Sequence, residues 1–545
     1  MKHLLVFFLV CGFVSTWAQD ESSKAPISLT GGLHLGGQLY TVSGIPARSV
    51  SPLWNLSGSA TLSLYSIQAP FSFTIGRQGR QTNVPSFSQF GISPTWKGMT
   101  LHAGNRSMRL SSYTLAGHPF LGVGIEGAAG EFRFAAMYGR LRRAREYVQD
   151  DPVAYPPVLQ RKGYAIKMGV GTERTFIDLI YFHAADDTRI QAIPDSILTA
   201  AENTVVSLNS RLAMSKSFSL FAEAAISLYT RDVRSIPVTD EFPLGSERLF
   251  TPRWSSRANY ATRAGMELRL RTFGIKGMWE RVMPEFQTMG AFFFANDIDN
   301  ITLSPTLRLW SSKIMINGTF GLQRNNLLDN RTETTTRFIG RGNILIRPNN
   351  RFSLNMSAIS LAINQRDGNI QLTDTIRTAL VTTHYSLSPM WVWSDSVRSR
   401  SFMCSVNVQD LNDRNPFTRE FTDMSTWFIQ ATWASRPIRA GWGWSAGLTA
   451  NRIFLADLTT DRLGGQGNVQ RQFGKQWSVQ GGGGWHLSSI DGNQDGSVTT
   501  LRMDARCRLF GQTSLTINTS LLLNKSRTFQ DYSEWQGGIF LQHMF

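Results

Sequence analysis

The sequence predicts an all-β protein, a transmembrane antiparallel β-barrel of about 26 strands, with a range of about 22 to 26. Three observations support this fold class: long segments in which apolar and polar residues alternate, connections that alternate between short and long, and a final strand that ends in an aromatic residue. Of the 545 residues, 42% are apolar and only 17% are charged. Beyond the N-terminus, no apolar run reaches the ~18 residues that a membrane-spanning helix needs. The apolar residues are therefore diluted evenly by polar ones, which indicates a period of two.

The N-terminus has the features of a secretory signal peptide. Lys2 gives it a positive start, residues 4–14 are apolar, and Ala18 is a small residue at a position suited to signal peptidase. We therefore predict a signal peptide over residues 1–18, followed by a single barrel with long extracellular loops over residues 19–545.

Strand periodicity begins at Ile27 and recurs along the chain. In residues 27–39 the odd-numbered positions hold Ile, Leu or Gly, whereas most even-numbered positions hold Ser, Thr, His or Gln. In lipid, strands satisfy all their backbone polar groups only in a closed sheet. Long alternating strands therefore favour a membrane barrel. The same alternation appears at 54–64, 301–309, 314–323, 351–358 and 501–509.

Tryptophan spacing favours the membrane barrel over a soluble β-sandwich, which is the competing interpretation of alternation. Trp477 and Trp485 lie eight residues apart on one face of a predicted strand. At ~3.3 Å per residue, this spacing approaches the ~25 Å apolar band with its aromatic girdles. Trp427 and Trp433 repeat the arrangement more compactly.

The predicted connections alternate between short and long. In outer-membrane barrels the short turns are periplasmic and the long loops are extracellular, so both chain ends are expected on the periplasmic side. The short connections lie at 127–131, 171–175, 215–217, 271–274, 311–313, 347–350, 473–476 and 510–513. The long ones lie at 143–162, 186–203, 232–257, 284–300 and 410–424.

The closing strand carries a predicted assembly signal. Residues 537–545 alternate and end in the aromatic Phe545, which resembles the recognition signal of bacterial outer-membrane proteins. We therefore predict that the protein is integral to the cell outer membrane. Its predicted partners are outer-membrane lipid and lipopolysaccharide, the outer-membrane barrel assembly machinery and small polar solutes.

Three segments carry a resemblance to known proteins. They read FGISPTWKGMTLH at 90–102, YTLAGH at 113–118 and FRFAAMYGR at 132–140. Together they resemble a group of uncharacterised, porin-like outer-membrane β-barrel proteins of Bacteroidota. The resemblance implies a location and a fold, and it implies no functional residues.

Two motifs that suggest ligand binding have plainer interpretations. The glycines within 122–127 match a dinucleotide fingerprint, but residues 131–140 alternate as a strand where that motif requires a helix. Residues 491–496 resemble the front of a calcium loop, yet the twelfth position is Arg502 instead of a glutamate. We expect a polar hairpin there, with a weak calcium site as the alternative, and we predict no cofactor and no metal centre.

The histidines are scattered singly, and no motif pairs one with a nucleophile or a carboxylate. We therefore expect no enzymatic activity. His102 and His118 flank the segment 106–117, which breaks strict alternation. We expect an ordinary loop there, with infolding into the lumen as the alternative.

The expected function is a plug-free outer-membrane channel or porin for passive passage of small polar, preferentially anionic, solutes. Strand periodicity from Ile27 leaves no room for the separate plug domain of a TonB-coupled receptor. Aromatic residues lie on apolar faces away from the arginines, so we expect no nucleic-acid partner. The alternative function is a non-transporting barrel that serves as a subunit or scaffold of an outer-membrane secretion or assembly complex.

Arginines on the polar faces are predicted to line the pore. A charged side chain at the lipid midplane costs ~2–4 kcal/mol, whereas rings of Arg in a water-filled pore favour anions. The alternative is that arginines near strand ends bind lipid phosphates or pair with loop acids. By the same parity, Cys404 and Cys507 should face lipid unpaired. The predicted pore-lining residues are Arg263, Arg269, Arg308, Arg337, Arg341, Arg502 and Arg506.

Overall fold

The strands of this chain form one continuous antiparallel sheet. The computed structural model describes residues 27–49, 51–77, 89–145, 157–188, 198–238, 250–292, 294–369, 377–439, 441–528 and 530–545. The predicted signal peptide, residues 1–18, lies outside these ranges.

The first thirteen strands are β1 (Ile27–Ser43), β2 (Leu53–Leu64), β3 (Ile67–Arg77), β4 (Gln89–Ile92), β5 (Thr95–Trp96), β6 (Met99–Arg109), β7 (Ala116–Ala129), β8 (Phe132–Arg142), β9 (Gln160–Gly171), β10 (Phe176–Asp187), β11 (Glu202–Ala213), β12 (Phe218–Thr230) and β13 (Ser256–Arg269). The remaining fourteen are β14 (Phe273–Val282), β15 (Ile298–Leu309), β16 (Ile314–Arg324), β17 (Glu333–Asn349), β18 (Phe352–Asp367), β19 (Ala379–Ser394), β20 (Arg398–Asp413), β21 (Met424–Pro437), β22 (Trp442–Leu455), β23 (Leu458–Phe473), β24 (Trp477–Ile490), β25 (Asn493–Arg508), β26 (Thr513–Ser526) and β27 (Tyr532–Met544). A single helical turn, α1 (Arg419–Thr422), precedes β21. None of the helices in the described part of the chain is long and apolar enough to cross a bilayer.

The sheet closes on itself, because β1 pairs with β27 as well as with β2. β4 and β5 both lie between β3 and β6 and together take the place of one strand. The barrel therefore has 26 strands, as predicted. At the seam, the Gly31 amide donates to the Phe545 carbonyl at 2.9 Å, and the Phe545 amide donates to the Gly31 carbonyl at 3.0 Å.

The outer face of the barrel is apolar, as the alternation predicts. On β9 and β10, the outward side chains of Met168, Val170, Ile177 and Leu179 are 47% to 57% exposed. Lipid is the environment that removes such a closed, apolar outer surface from water, so the fold is a transmembrane β-barrel. The predicted girdle residues are likewise exposed on this face: Trp427, Trp433, Trp477 and Trp485.

Short and long connections lie at opposite rims. Twelve turns of two to four residues form one rim, which we call the turn rim and which also holds Ile27 and Phe545. The loop rim opposite carries the long loops, including 231–255 and 283–297. Loops shorten toward the end of the chain, where only two residues follow β22 and two follow β24.

Both barrel cysteines lie on the outward parity, as predicted. Cys404 lies opposite Ala431, and Cys507 lies between Trp477 and Leu515 across the ladder. Both cysteines are free thiols.

Candidate functional site: a lumen with two different walls

The inner face of the barrel consists of two walls with different chemistry. We call the inner face of β6–β15 the covered wall, because the chain segments 110–115 and 283–297 fold over it. We call the inner face of β16–β27 the open wall, because most of its polar side chains remain at least partly exposed.

The segment 110–115 turns inward where β6 ends at Arg109. Ser111 shapes this turn, since its Oγ accepts hydrogen bonds from the amides of Tyr113 at 3.2 Å and Thr114 at 3.1 Å. A serine hydroxyl that binds nearby amides stabilises a turn in place of a continued strand.

The apolar side chains of this segment are buried inside the barrel. Leu110, Tyr113 and Leu115 are 6%, 1% and 0% exposed. The Tyr113 hydroxyl reaches β14, where it donates to Glu280 Oε1 at 2.8 Å. The expectation of an ordinary loop is therefore wrong, because burying these side chains in the lumen removes apolar surface from water.

The segment 283–297 interlocks with the first one. The Ala116 amide donates to the Gly290 carbonyl at 2.9 Å, and the Thr288 hydroxyl donates to the Thr114 carbonyl at 2.7 Å. The two segments therefore cover the wall as one hydrogen-bonded unit.

The same unit is anchored to β11 and β12. The Asn203 side chain donates to the Gln287 carbonyl at 3.3 Å and accepts from the Met289 amide at 3.0 Å. The Ser227 hydroxyl also donates to the Gln287 carbonyl, at 2.6 Å. Phe286 is fully buried beneath the segment.

The strands under this cover are apolar on both faces. On β10, Ile177 and Leu179 point outward while Ile180 and Phe182 are fully buried on the inside. Residues 176–185 accordingly read FIDLIYFHAA. A near-continuous apolar run of this kind indicates that the lumenal face of the strand is covered as well as its lipid face. Apolar lumen-facing residues that are at most 3% exposed include Ala135, Met137, Ala165, Ile180, Phe182, Ala184, Val205, Ala225, Ala261 and Val282.

The buried carboxylates of the covered wall are paired with arginines. Glu223 is fully buried, and its Oε2 lies 2.7 Å from Arg263 Nη2. Two further buried carboxylates, Asp178 and Asp186, are also bound by arginines. Pairing is what makes burial of these charges tolerable.

This pairing corrects the predicted role of Arg263 as a free pore-lining cation. Arg263 does face inward, but Glu223 on the neighbouring strand β12 lies directly opposite and neutralises it. The sequence of β13 by itself offers Arg263 only one acid on the same face, Glu267. That carboxylate pairs with the predicted Arg269 and, at 2.7 Å, with Arg211.

The open wall holds arginines of a different kind. Arg337, Arg341, Arg502 and Arg506 are exposed on its inner face, and their cross-strand neighbours are Gln, Thr, Ser, Gly or Ile. Within the described ranges, no ion pair joins any of the four to an acid. Arg308, the remaining predicted residue, is exposed at the turn-rim end of β15.

Amides and hydroxyls surround these arginines. Gln470, Gln480, Asp504 and Asn518 lie side by side across β23 to β26, all with the inward parity of Arg502. The three amides donate and accept hydrogen bonds without carrying a charge, whereas the Asp504 carboxylate only accepts and lies on the same face of β25 as Arg502 and Arg506.

The two rims also differ in charge. The turn rim contains three acids, Glu131, Glu173 and Asp395, whereas the thirteen connections of the loop rim contain fourteen Lys or Arg and seventeen Asp or Glu. Amide hydrogen bonds from Arg398 and Val397 hold the pKa of Asp395 below its ordinary range. Eight of the twelve turns on the turn rim carry a cation, namely Lys97, Arg174, Lys216, Arg271, Lys313, Arg351, Arg439 and Lys475. With eight cations and three acids, the turn rim is strongly basic.

His102 has partners that sequence inspection missed. Its Nδ1 lies 3.0 Å from Ser93 Oγ, and its Nε2 lies 3.3 Å from Glu126 Oε1. His118 instead stacks on Phe292 with ring centroids 4.1 Å apart. No sequence motif indicated the partners of His102, because they are brought together by the pairing of β6 with β5 and β7.

The two sequence motifs for ligands have structural roles. The glycines within 122–127 belong to β7, and Asp491 and Gly492 form the two-residue turn between β24 and β25. Among the described side chains, no group of three or more His, Cys, Asp or Glu residues could hold a metal ion.

No protein-family model and no curated protein sequence matches this chain. Among solved structures, it is similar to the P pilus usher translocation pore at 10% identity and a TM-score of 0.38, covering 95% of this chain and 99% of that one. A ferric enterobactin receptor mutant from Pseudomonas aeruginosa matches at 9% identity and 0.41, covering 96% and 81%. OccK9 from the same organism matches at 10% identity and 0.29, covering 95% and 99%. These similarities are too weak to assign a family or a function.

Proposed function

We propose that this protein is an outer-membrane channel for the passive passage of small polar, preferentially anionic, solutes. The open wall is the observation that carries the proposal. Arg337, Arg341, Arg502 and Arg506 are exposed, are joined to no acid by an ion pair within the described ranges and lie opposite uncharged residues across the sheet, with Asp504 between the last two. Arginines placed in this way in a water-filled pore attract anions.

The size of the barrel supports a passage. A circular barrel with this number of strands is about 50 Å across between opposite backbones, at a strand spacing of ~4.8 Å and a tilt near ~40°. Side chains do not fill such a width, and segments 110–115 and 283–297 cover only one wall. Water and solutes would therefore pass between this cover and the open wall.

The basic turn rim adds to the anion preference. Its cations raise the local concentration of anions at one mouth of the barrel, an effect that weakens as ionic strength rises. Because the turns are periplasmic in this class of barrel, that mouth faces the periplasm.

A scaffold function is the second candidate. The hydrogen-bonded cover over β6–β15 is the observation that favours it, since a more complete cover would close the lumen. Reconstitution of the purified full chain into a planar bilayer separates the two functions. Stable unitary conductance supports the channel, whereas a folded, non-conducting barrel that co-purifies with large partners supports the scaffold.

We place the protein in the outer membrane, where lipopolysaccharide, phospholipid and the barrel assembly machinery are its proposed partners. Phe545 closes the seam with Gly31, so its deletion removes two backbone hydrogen bonds as well as the proposed assembly signal. The deletion should lower the amount of protein in outer-membrane fractions several-fold. Normal levels would contradict an assembly role for Phe545, and a soluble native protein would contradict the location.

A further inference from the structure

Near the turn rim, on the inner face of the barrel, a chain of hydrogen bonds joins a serine between β4 and β5, a histidine on β6 and a glutamate on β7. Ser93 Oγ is 3.0 Å from His102 Nδ1, and His102 Nε2 is 3.3 Å from Glu126 Oε1. Their neighbours Ile92 and Leu101 are exposed on the lipid face at 39% and 53%, so the polar side chains point into the lumen.

The chemistry of the three groups fixes the direction of the hydrogen bonds. A carboxylate only accepts, so His102 Nε2 carries the proton that Glu126 receives. His102 Nδ1 is then left with its lone pair and accepts the Ser93 hydroxyl. A serine nucleophile is activated when its hydroxyl is hydrogen-bonded to a base and an acid holds that base in one tautomer.

The local fold presents Ser93 at a break in the strand. The ladder stops after β4 and resumes at β5, and Pro94, which has no amide hydrogen, lies in the gap. The Ser93 amide donates sideways to the Pro70 carbonyl at 2.9 Å. The register with β6 is the same on both sides of Pro94, so Ser93 lies directly across the sheet from His102.

A partly exposed cation lies next to this serine. Arg106 Nη2 donates to the same Pro70 carbonyl at 3.3 Å, and its Nη1 donates to Ser72 Oγ at 2.9 Å. Arg106 Nε is buried without a hydrogen-bond partner. The positive charge of this guanidinium beside a nucleophile is suited to stabilise an oxyanion.

We propose that Ser93, His102, Glu126 and Arg106 form an esterase site that hydrolyses small, water-soluble carboxylic esters within the lumen. Ser93 Oγ attacks the carbonyl carbon while His102 Nδ1 takes the hydroxyl proton. Arg106 faces the oxyanion, and the alcohol leaves with the proton that His102 returns. Water then attacks the acyl-serine, releases the acid and restores Ser93. Glu126 acts as a positioning residue throughout, and the 42% exposure of its side chain keeps the site open to lumenal water.

Covalent labelling of the purified, folded full chain with a fluorophosphonate tests the nucleophile directly. Peptide mass spectrometry should find the adduct on Ser93, and Ser93→Ala should remove both the adduct and the hydrolysis of p-nitrophenyl acetate. His102→Gln should slow both reactions by ~100-fold, within the range of general-base catalysis. Glu126→Gln should slow them less, and Glu126→Asp should restore part of the rate.

Thr95→Ala is the matched control, because Thr95 is a nearby hydroxyl that bonds to Thr100 at 3.0 Å and has no part in the site. It should leave labelling and hydrolysis unchanged. A heat-dependent shift in gel mobility establishes that each variant is folded. Absence of Ser93 labelling in the folded wild-type protein, or full hydrolysis by folded Ser93→Ala, would overturn the proposal. The channel is tested separately, since Ser93→Ala should leave bilayer conductance unchanged.

Discussion

The covered wall and the open wall belong to the same barrel, yet inward-facing arginines have different environments on the two walls. On the covered wall, Arg263 is bound to the buried Glu223 beneath folded chain segments. On the open wall, Arg337 and Arg502 are exposed among uncharged neighbours. The difference shows that inward direction alone does not make an arginine a selectivity element. The residue must also lack a carboxylate partner and a covering segment.

Connection length contributes to where each wall forms. The segment 283–297 is long enough to reach into the lumen, whereas the connections after β22 and β24 have only two residues. Length alone does not decide the cover, because the covering segment 110–115 has only six residues and is held inward by its contacts with segment 283–297.

Breaking a buried charge pair should give the largest difference between the walls. Glu223→Ala takes the fully buried carboxylate partner from Arg263, which should lower the free energy of unfolding by about 1.5–3 kcal/mol. Asp504→Ala on the open wall should change it by less than ~0.5 kcal/mol, as expected at a partly exposed site without an ion pair. Denaturant unfolding in lipid or detergent, followed by tryptophan fluorescence, measures both. Equal losses would remove the energetic distinction between the walls.

A smaller loss is expected from the hydroxyl that ties the cover to the wall. Tyr113→Phe leaves Glu280 without its 2.8 Å hydrogen bond and should cost about 1–3 kcal/mol. Tyr385→Phe on the lipid face, where Tyr385 is 53% exposed, is the matched control and should have no measurable effect. The same unfolding assay applies, and an unchanged Tyr113→Phe protein would mean that the cover is not held by this contact.

Charge reversal should separate the walls in ion selectivity. The triple variant Arg337→Glu, Arg341→Glu and Arg502→Glu should weaken or invert anion preference, because these side chains face the solute path. Arg263→Glu should instead lower stability, since it places two carboxylates together at a buried site. Reversal potentials in a salt gradient measure the first effect. Cation selectivity in the unmodified protein would refute the cationic open wall.

The smallest expected effect concerns the two cysteines, which should not react with a maleimide. Cys404 and Cys507 both lie on the outward parity, so a bulky water-soluble maleimide should label neither in intact cells. Ready labelling of Cys507 would mean that the assigned register of β25 is wrong by one residue. Every inward and outward assignment on that strand would then be reversed.

Alternation was sufficient to predict the strands of the open wall. In β24 and β25 one face is apolar and the other polar, so the residues that face lipid, including Trp485 and Met503, follow directly from parity. The closing strand and the number of strands follow from the same pattern together with the turns.

Features that depend on contacts between distant segments could not be predicted in this way. The pairing of Arg263 with Glu223 depends on the register between two strands joined by a long loop. The inward turn at 110–115 is stabilised by Glu280, 167 residues away from Tyr113. Ser93 and His102 are only nine residues apart, but their contact depends on the register of β4 and β5 against β6.

Cysteine modification during bilayer recording tests most directly whether solutes pass along the open wall. Both variants are made in a background with Cys404→Ser and Cys507→Ser. Ser520→Cys places a thiol on the open wall, opposite Arg502. Ala165→Cys places a thiol beneath the cover, where Ala165 is fully buried. A negatively charged methanethiosulfonate should reduce conductance and anion preference in Ser520→Cys and leave Ala165→Cys unchanged. Unaltered conductance in a fully modified Ser520→Cys barrel, or block through Ala165→Cys instead, would contradict the account.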